Sequence, residues 1–359
     1  MTQKHPAFLF ATALLAGTAL TSVAHASAIN AATVFATAPA GNSRPDSISV
    51  GGGSVFVSYV VSPSANQGSP AGNSTVVQYS SVGATQATYA ISGNVDGLKY
   101  NPVSGQVFAL QNQDGNSTLS LINPVMHTVS GPLSYAAPPY VYGANSARGY
   151  DDVAFRNGQV YLSFTNPTAA SDPVVQTLDQ GNTPSGTLTT SNVVTAGQTG
   201  STLPDIDSLK TKPNGDLTVN DERGGRFITI ANPGAANQTL TSKQVSLNGQ
   251  PVSNIDDVLY PSATAGTLYV SDQNNNRVLA LSVSGLDLNS PFVTLENDNI
   301  LATLSPSGAA TPFYTGQLGS LAAPHGLDFA AAAPVPEPAS LALLGTTLLG
   351  LVGLRRRSW

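Results

Sequence analysis

An all-β fold of radially packed sheets follows from three observations. A strand-opening motif recurs about every 50 residues, a second and a third strand follow it in register each time, and the composition favours strands joined by tight turns. Of 359 residues, 34 are Gly and 25 are Pro, with many Ser, Thr and Asn between them. Four short antiparallel strands per repeat are the signature of a β-propeller blade, because one such sheet alone buries too little apolar surface and must pack against its neighbours. The middle of the chain lacks long 3.6-residue amphipathic periodicity, which argues against a helical solenoid.

The openings are Asp46-Ser47-Ile48, Asp96-Gly97-Leu98, Asp151-Asp152-Val153, Asp207-Ser208-Leu209 and Asp256-Asp257-Val258, with His325-Gly326-Leu327 as a sixth, partial copy. The second strand of each unit starts near Gly53, Gly105, Gly158, Gly215 and Gly266. Two of these glycines follow Asn, at Asn157-Gly158 and Asn214-Gly215, the pair that best accommodates positive φ in a two-residue hairpin. Third strands are expected over 74–79, 117–122, 173–178, 226–231 and 277–282, and looser fourth strands over segments such as 87–91 and 243–247. The stretch 255–282 reads as the cleanest single copy of the unit.

Blade number follows from the two ends of the repeat. Residues 34–37 form a strand without a blade of its own, and the long interval before His325 contains strand-like segments at 292–295, 300–304 and 313–315. Six blades, closed by pairing the N-terminal strand with C-terminal ones, fit best; five or seven remain compatible with the spacing. Closure matters because an unpaired edge invites aggregation.

Composition excludes several function classes. The formal net charge is −6, only 9% of residues are charged, and no run of Lys or Arg interrupts the middle, so an electrostatic nucleic-acid footprint is absent. With no Cys, disulfides, thiolate metal sites and Cys nucleophiles are excluded.

Both ends read as address labels. Lys4 and His5, an apolar stretch over 7–20 and Ala24-His25-Ala26 have the layout of a secretory signal peptide, which places cleavage by signal peptidase after Ala26; the plainer reading is a buried N-terminal helix. At the other end, Pro336-Glu337-Pro338 precedes sixteen uncharged residues, 339–354, and then Arg355, Arg356 and Arg357. Sixteen helical residues reach about 24 Å, slightly short of a hydrocarbon core of about 30 Å, a mismatch met by thinning and arginine snorkelling. The arginines stay cytoplasmic, so everything before Pro338 lies outside the inner membrane.

That order of PEP motif, apolar helix and Arg cluster resembles the PEP-CTERM sorting signal of proteins exported by Gram-negative bacteria. The resemblance implies recognition and tail removal by exosortase, transient residence in the inner membrane, and a final place at the cell surface or in the extracellular matrix. A permanent C-terminal anchor is the alternative. The expected organisation is therefore a signal helix over 1–26, a propeller over 27–333, and a single hydrophobic sorting helix within 334–359. The turn Asp272-Gln273-Asn274-Asn275-Asn276 before Arg277-Val278, with weaker copies at Asn220-Asp221-Glu222-Arg223 and Asn112-Gln113-Asp114-Gly115, resembles NHL-repeat and gluconolactonase-like propellers.

In such a fold the opening residues Asp46, Asp96, Asp151, Asp207, Asp256 and His325 converge at one channel mouth. Three readings apply: backbone-capping aspartates, a mouth for Ca²⁺ or another divalent cation, and catalysis. His127 reads as a surface residue, Asp221-Glu222-Arg223 as a solvated turn, Gly51-Gly52-Gly53 as a hairpin rather than a phosphate cradle, and 138–142 as a Pro-rich aromatic cover or glycan rim. No Ser/His/Asp triad can be assembled, since the mature chain retains only His127 and His325. The functional expectation is a non-catalytic surface or matrix protein whose propeller binds or scaffolds an unidentified ligand, polysaccharide and protein being the candidates; a matrix filler without a specific ligand is a further reading. The alternative is a metal-dependent, gluconolactonase-like hydrolase. That resemblance calls for a carboxylate-and-Asn metal cage, and the lack of any Glu before Glu222 departs from it.

Overall fold

The structure is a computed structural model and describes residues 27–60, 73–113, 115–136, 148–200, 203 and 205–333. The signal segment, the insertion around Tyr140 and the sorting segment lie outside these. Six antiparallel sheets surround one axis, and the described residues contain only two single-turn helices, Ala196–Thr199 and Gln273–Asn275.

From the axis outward, blade 1 is Ser43–Gly51, Ser54–Val60, Asn73–Ser80 and Thr85–Ser92. Blade 2 is Val95–Tyr100, Val107–Gln111, Thr118–Asn123 and Thr128–Ser134. Blade 3 is Tyr150–Arg156, Gln159–Phe164, Pro173–Leu178 and Thr190–Thr195. Blade 4 is Ile206–Thr211, Leu217–Asp221, Arg226–Ala231 and Thr239–Gln244. The fourth strand of this blade ends earlier than expected, and Ser246–Leu247 pairs in parallel with blade 5 instead.

The last two blades share their chain in an unexpected way. Blade 5 begins with Ile255–Leu259 and continues with Phe292–Leu295, Ile300–Leu304 and Ala309–Pro312. Blade 6 has Pro324–Ala331 innermost, then Ala265–Asp272 and Arg277–Ser284, with Ala28–Thr37 outermost. The stretch 255–282 is thus not one blade: its opening belongs to blade 5 and its hairpin to blade 6. Periodicity along the chain cannot distinguish pairing with the strand just before from pairing with one that arrives later. The 69-residue interval between Asp256 and His325 holds both the exchanged hairpin and the rest of blade 5. Residues 313–315 are not a strand; Ala309–Pro312 takes that place.

Six apolar clusters, one between each pair of neighbouring sheets, make up the core. Phe108, Leu110, Val153 and Leu162 fill the gap between blades 2 and 3, and Leu209, Leu217, Val174 and Val175 that between blades 3 and 4. Leu268, Leu279, Phe292 and Leu327 bind the exchanged pair together. The second strands read as near-continuous apolar runs because both their faces are covered, as Ser54–Val60 and Val107–Gln111 show by complete burial. Each Val, Leu, Ile or Phe so enclosed contributes about 1.5–3 kcal/mol.

Turn chemistry sets the register. Asn157 and Gly158 both have positive φ (48° and 79°), as the two-residue hairpin requires. Asn214-Gly215 differs: only Gly215 is positive (87°), and its N–H reaches the Lys212 carbonyl across Pro213. Proline presets the first central position of an ordinary turn, leaving the left-handed step to glycine.

At the axis the innermost strands approach so closely that side chains are excluded at Gly97 and Gly326. A Cβ there would strike the carbonyl oxygens of Asp151 and Asp46, respectively, each on the neighbouring blade. Gly97→Ala and Gly326→Ala should each lower unfolding free energy by about 1–3 kcal/mol in denaturant titrations, the range of overpacking changes.

Candidate functional site

Each innermost strand breaks its ladder at the same step. The pairing shifts between Pro45 and Ile48, Val95 and Gly97, Tyr150 and Val153, Ile206 and Leu209, and Ile255 and Val258, and likewise opposite Val270 and Asp272 in blade 6. A bulge re-aims the side chain that it carries. Here it falls on the opening residue of every blade, and Asp46, Asp96, Asp151, Asp207, Asp256 and His325 all line a single cavity of about 440 Å³. Hydroxyls on the second strands occupy three of the bulges: Ser58, Ser163 and Thr294 accept the N–H of Ser47, Asp152 and Asp257.

Loops between second and third strands rise at the same mouth. They bring Gln113, Glu222 and Glu296 to the cavity, while Arg44 enters from the start of the innermost strand of blade 1. Arg44 Nε lies 3.0 Å from Gln273 Oε1. Asp221-Glu222-Arg223 is therefore not a solvated turn. Asp221 is fully buried, Glu222 faces the cavity, and only Arg223 is exposed, paired at 2.8 Å with Asp205. His127 is exposed as expected.

Charge is arranged in layers. Nine carboxylates but only three cationic side chains line the cavity. At the mouth, His325 Nδ1 lies 2.8 Å from Asp256 Oδ1 and 3.2 Å from Asp46 Oδ1. Its Nε2 sits 3.3 Å from Glu296 Oε1, close enough for charge attraction but out of line for a hydrogen bond. Burial opposes the imidazolium, yet Asp256, Asp46 and Glu296 hold its pKa well above the ordinary value. One layer deeper, Lys210 Nζ bridges Asp152 Oδ2 at 2.6 Å and Asp257 Oδ1 at 2.9 Å. Deeper still, Lys99 meets Asp328 at 2.9 Å.

These deeper carboxylates also stitch blades together. Asp152 accepts the Leu209 N–H, Asp257 the Leu327 N–H and Asp328 the Val50 N–H, each from the next blade's inner strand. Backbone capping of this kind, considered above for the opening aspartates, is carried here by their neighbours.

The remaining mouth carboxyls crowd one another. Burial, then repulsion from Asp151, Asp256 and Glu222, pushes Asp207 well above the carboxylate range, and its Oδ2 is buried without a hydrogen-bond partner among the described residues. Burial raises Asp256 to about 7 against the pull of His325. Glu222 is likewise raised to about 7 by burial, with Asp205 and Glu296 adding to it. In contrast, the His325 contact holds Glu296 below its usual value.

The donor set does not fit a divalent-ion cage. His325 engages Asp46 and Asp256, Lys210 engages Asp152 and Asp257, and among the described residues no group of three or more His, Asp or Glu is placed to hold a metal ion.

Residues 334–357 match the PEP-CTERM protein-sorting motif. The chain carries an exosortase sorting signal. That motif marks the protein for export and for exosortase-dependent sorting to the cell envelope. Its residues Pro336, Glu337, Pro338, Arg355, Arg356 and Arg357, like Ala24 and Ala26 of the expected cleavage site, lie outside the described residues. No helix among the described residues is long and apolar enough to cross a membrane. No curated protein sequence matches the chain. Among solved structures, the periplasmic gluconolactonase of Pseudomonas aeruginosa is similar at 10% identity and a TM-score of 0.47, covering 80% of this chain and 89% of that one. Virginiamycin B lyase from Staphylococcus aureus is similar at 12% identity and a TM-score of 0.45, covering 84% and 93%. The fold assignment itself rests on the six sheets above.

Two outcomes follow from the charge layers. Lys210→Met leaves Asp152 and Asp257 buried without their cation and should cost about 3–5 kcal/mol in denaturant unfolding. Stability should also depend on pH. Carboxyls whose folded pKa exceeds the unfolded value take up a proton on folding, so the share of stability tied to Asp256 and Glu222 declines as pH rises from their ordinary values toward about 7. His325 acts in the same direction: its stabilisation is complete below the ordinary 6.5 and is lost as pH climbs through its raised value. Thermal midpoints should fall between about pH 5 and about pH 8, and His325→Gln should flatten that slope.

Proposed function

We propose that this chain is an exported, exosortase-processed protein of the cell surface or its matrix, whose propeller binds a cationic ligand at the acidic channel mouth without turning it over. The observation that carries the reading is the excess of carboxylates around the mouth cavity, with Asp207 Oδ2 buried and unpartnered among them. A ligand that brings positive charge relieves this repulsion, and desolvated carboxylates bind it more strongly than exposed ones do. An amino-sugar polysaccharide supplies such groups at regular spacing and suits a matrix setting. In this reading signal peptidase cleaves after Ala26, and exosortase removes the apolar segment 339–354 with its arginines.

The hydrolase reading needs a bound divalent ion, for which the paired carboxylates leave no assembled cage. The mouth instead offers a clamped imidazolium and a ladder of ion pairs, an arrangement suited to recognition.

Titration calorimetry with a deacetylated glucosamine oligomer checks this, with neutral dextran and a lysine peptide as comparators. Binding of the amino sugar should pass through a maximum between about pH 6 and about pH 8, as the mouth carboxyls ionise and the sugar amine then loses its proton, and should weaken with salt. Asp207→Asn should reduce affinity about tenfold, equivalent to about 1.4 kcal/mol. Preference for the peptide would redirect the reading to a protein partner. Stoichiometric Ca²⁺ together with lactone hydrolysis would replace it with the hydrolase. Intact mass of the protein from its native host reports both processing ends.

A further inference from the structure

Strand direction fixes where the chain leaves the propeller. The innermost strand of blade 6 carries His325 at the mouth and runs to Ala331, six residues on, about 20 Å away along the channel. Ala331 pairs with Gly266 at the opposite face, and the Ala332 N–H bonds the Ala265 carbonyl there. The N-terminal strand starts at the same edge. Ala28 lies opposite Ser284, which in turn lies opposite Ala265, and the Ser27 hydroxyl reaches the Gly285 carbonyl. Both chain ends thus depart from the face remote from the mouth, on the outermost and innermost strands of blade 6, and residues 332–338 can span at most about 25 Å before the apolar sorting segment begins.

That remote face has a distinctive surface in blades 1 and 2. Three of its turns there, 80–84, 101–106 and 123–127, contain no Asp, Glu, Lys or Arg. At their tips stand Val82, Val103, Val125 and Met126, which are 85%, 66%, 81% and 68% exposed. The other exposed large hydrophobic side chains among the described residues, Val34 and Val129, are only 45% and 39% exposed. Apolar tips on these uncharged turns are what a bilayer interface accommodates, whereas the carboxylate-rich mouth is repelled by anionic headgroups.

We propose that the face bearing Val82, Val103, Val125 and Met126 rests on the lipid surface while the sorting segment holds the chain in the membrane, so that the acidic mouth points away from it. The short tether, the shared face of the two ends and the apolar turn tips converge on this one orientation. The proposal uses the sorting segment but not the ligand of the mouth, so it stands or falls independently of the binding function.

The lack of native cysteine makes the test clean, since an introduced thiol is the sole labelling site. The full chain, carrying its sorting segment, is reconstituted into vesicles of phosphatidylethanolamine and phosphatidylglycerol with an environment-sensitive fluorophore at Met126→Cys or, on the mouth side, at exposed Asn274→Cys. The position 126 probe should shift to the blue and be quenched by spin-labelled lipid, while the position 274 probe stays water-like. With Val82→Asp and Val125→Asp added, the shift at 126 should be lost although the protein still floats with the vesicles. Equal or reversed quenching at the two positions overturns the proposal, as does failure of the chain to float. If both probes stay water-like in these protein-free bilayers, lipid is not the partner and the proposal falls. Shielding at 126 that persists in detergent and grows with protein concentration assigns the face to a second copy, and overturns it equally.

Discussion

Pairing of Ala28–Thr37 with Arg277–Ser284 turns an open row of sheets into a ring, and every property of the mouth presupposes that ring. Without it, blade 6 has a bare edge and the cluster holding Val57, Val77, Tyr269 and Val278 between blades 6 and 1 opens to water. The six inner strands then lose the common axis that forces Gly97 against Asp151 and Gly326 against Asp46. Closure is what makes the bulges converge, because a re-aimed side chain meets its counterparts only if all six strands face the same line.

Convergence creates an electrostatic problem that the fold solves in depth. Carboxylates brought together away from water repel one another, and cations on the channel wall offset this layer by layer. Lys99 and Lys210 occupy the same strand position, two blades apart, and serve the inner layers. His325 replaces aspartate in the outermost ring and satisfies carboxylates from blades 1 and 5. The imbalance that remains includes Asp207, whose carboxyl is buried beside Asp151, Asp256 and Glu222.

Much of this was legible in the amino-acid order. The openings from Asp46 to His325 could be aligned because bulge, apolar run and turn recur at fixed offsets, and convergence follows from the architecture. Glu222, Glu296 and Arg44 were missed for a physical reason. Glu222 and Glu296 lie on loops between second and third strands, whose lengths vary from blade to blade, and Arg44 lies in a first strand, two residues ahead of its opening aspartate. The turns at Asn112, Asn220 and Asp272 held the signal: each ends a second strand, and second strands end at the mouth. Lys210, Asp152 and Asp257 could have been found from strand alternation, since residues one and three places after an opening line the channel. The exchanged hairpin left only an overlong interval, because antiparallel pairing looks alike whichever neighbour supplies it.

That exchange has a mechanical meaning. The chain enters blade 5, crosses to lay down two strands of blade 6, returns to finish blade 5, and crosses again to supply the inner strand of blade 6. The two sheets are laced, so neither peels away without drawing out the other. In most rings the join between first and last blade is the place to fray, and here the lacing sits immediately beside that join. A chain threaded outward from its N-terminus cannot lock until residue 331 has emerged, so the clasp shuts last.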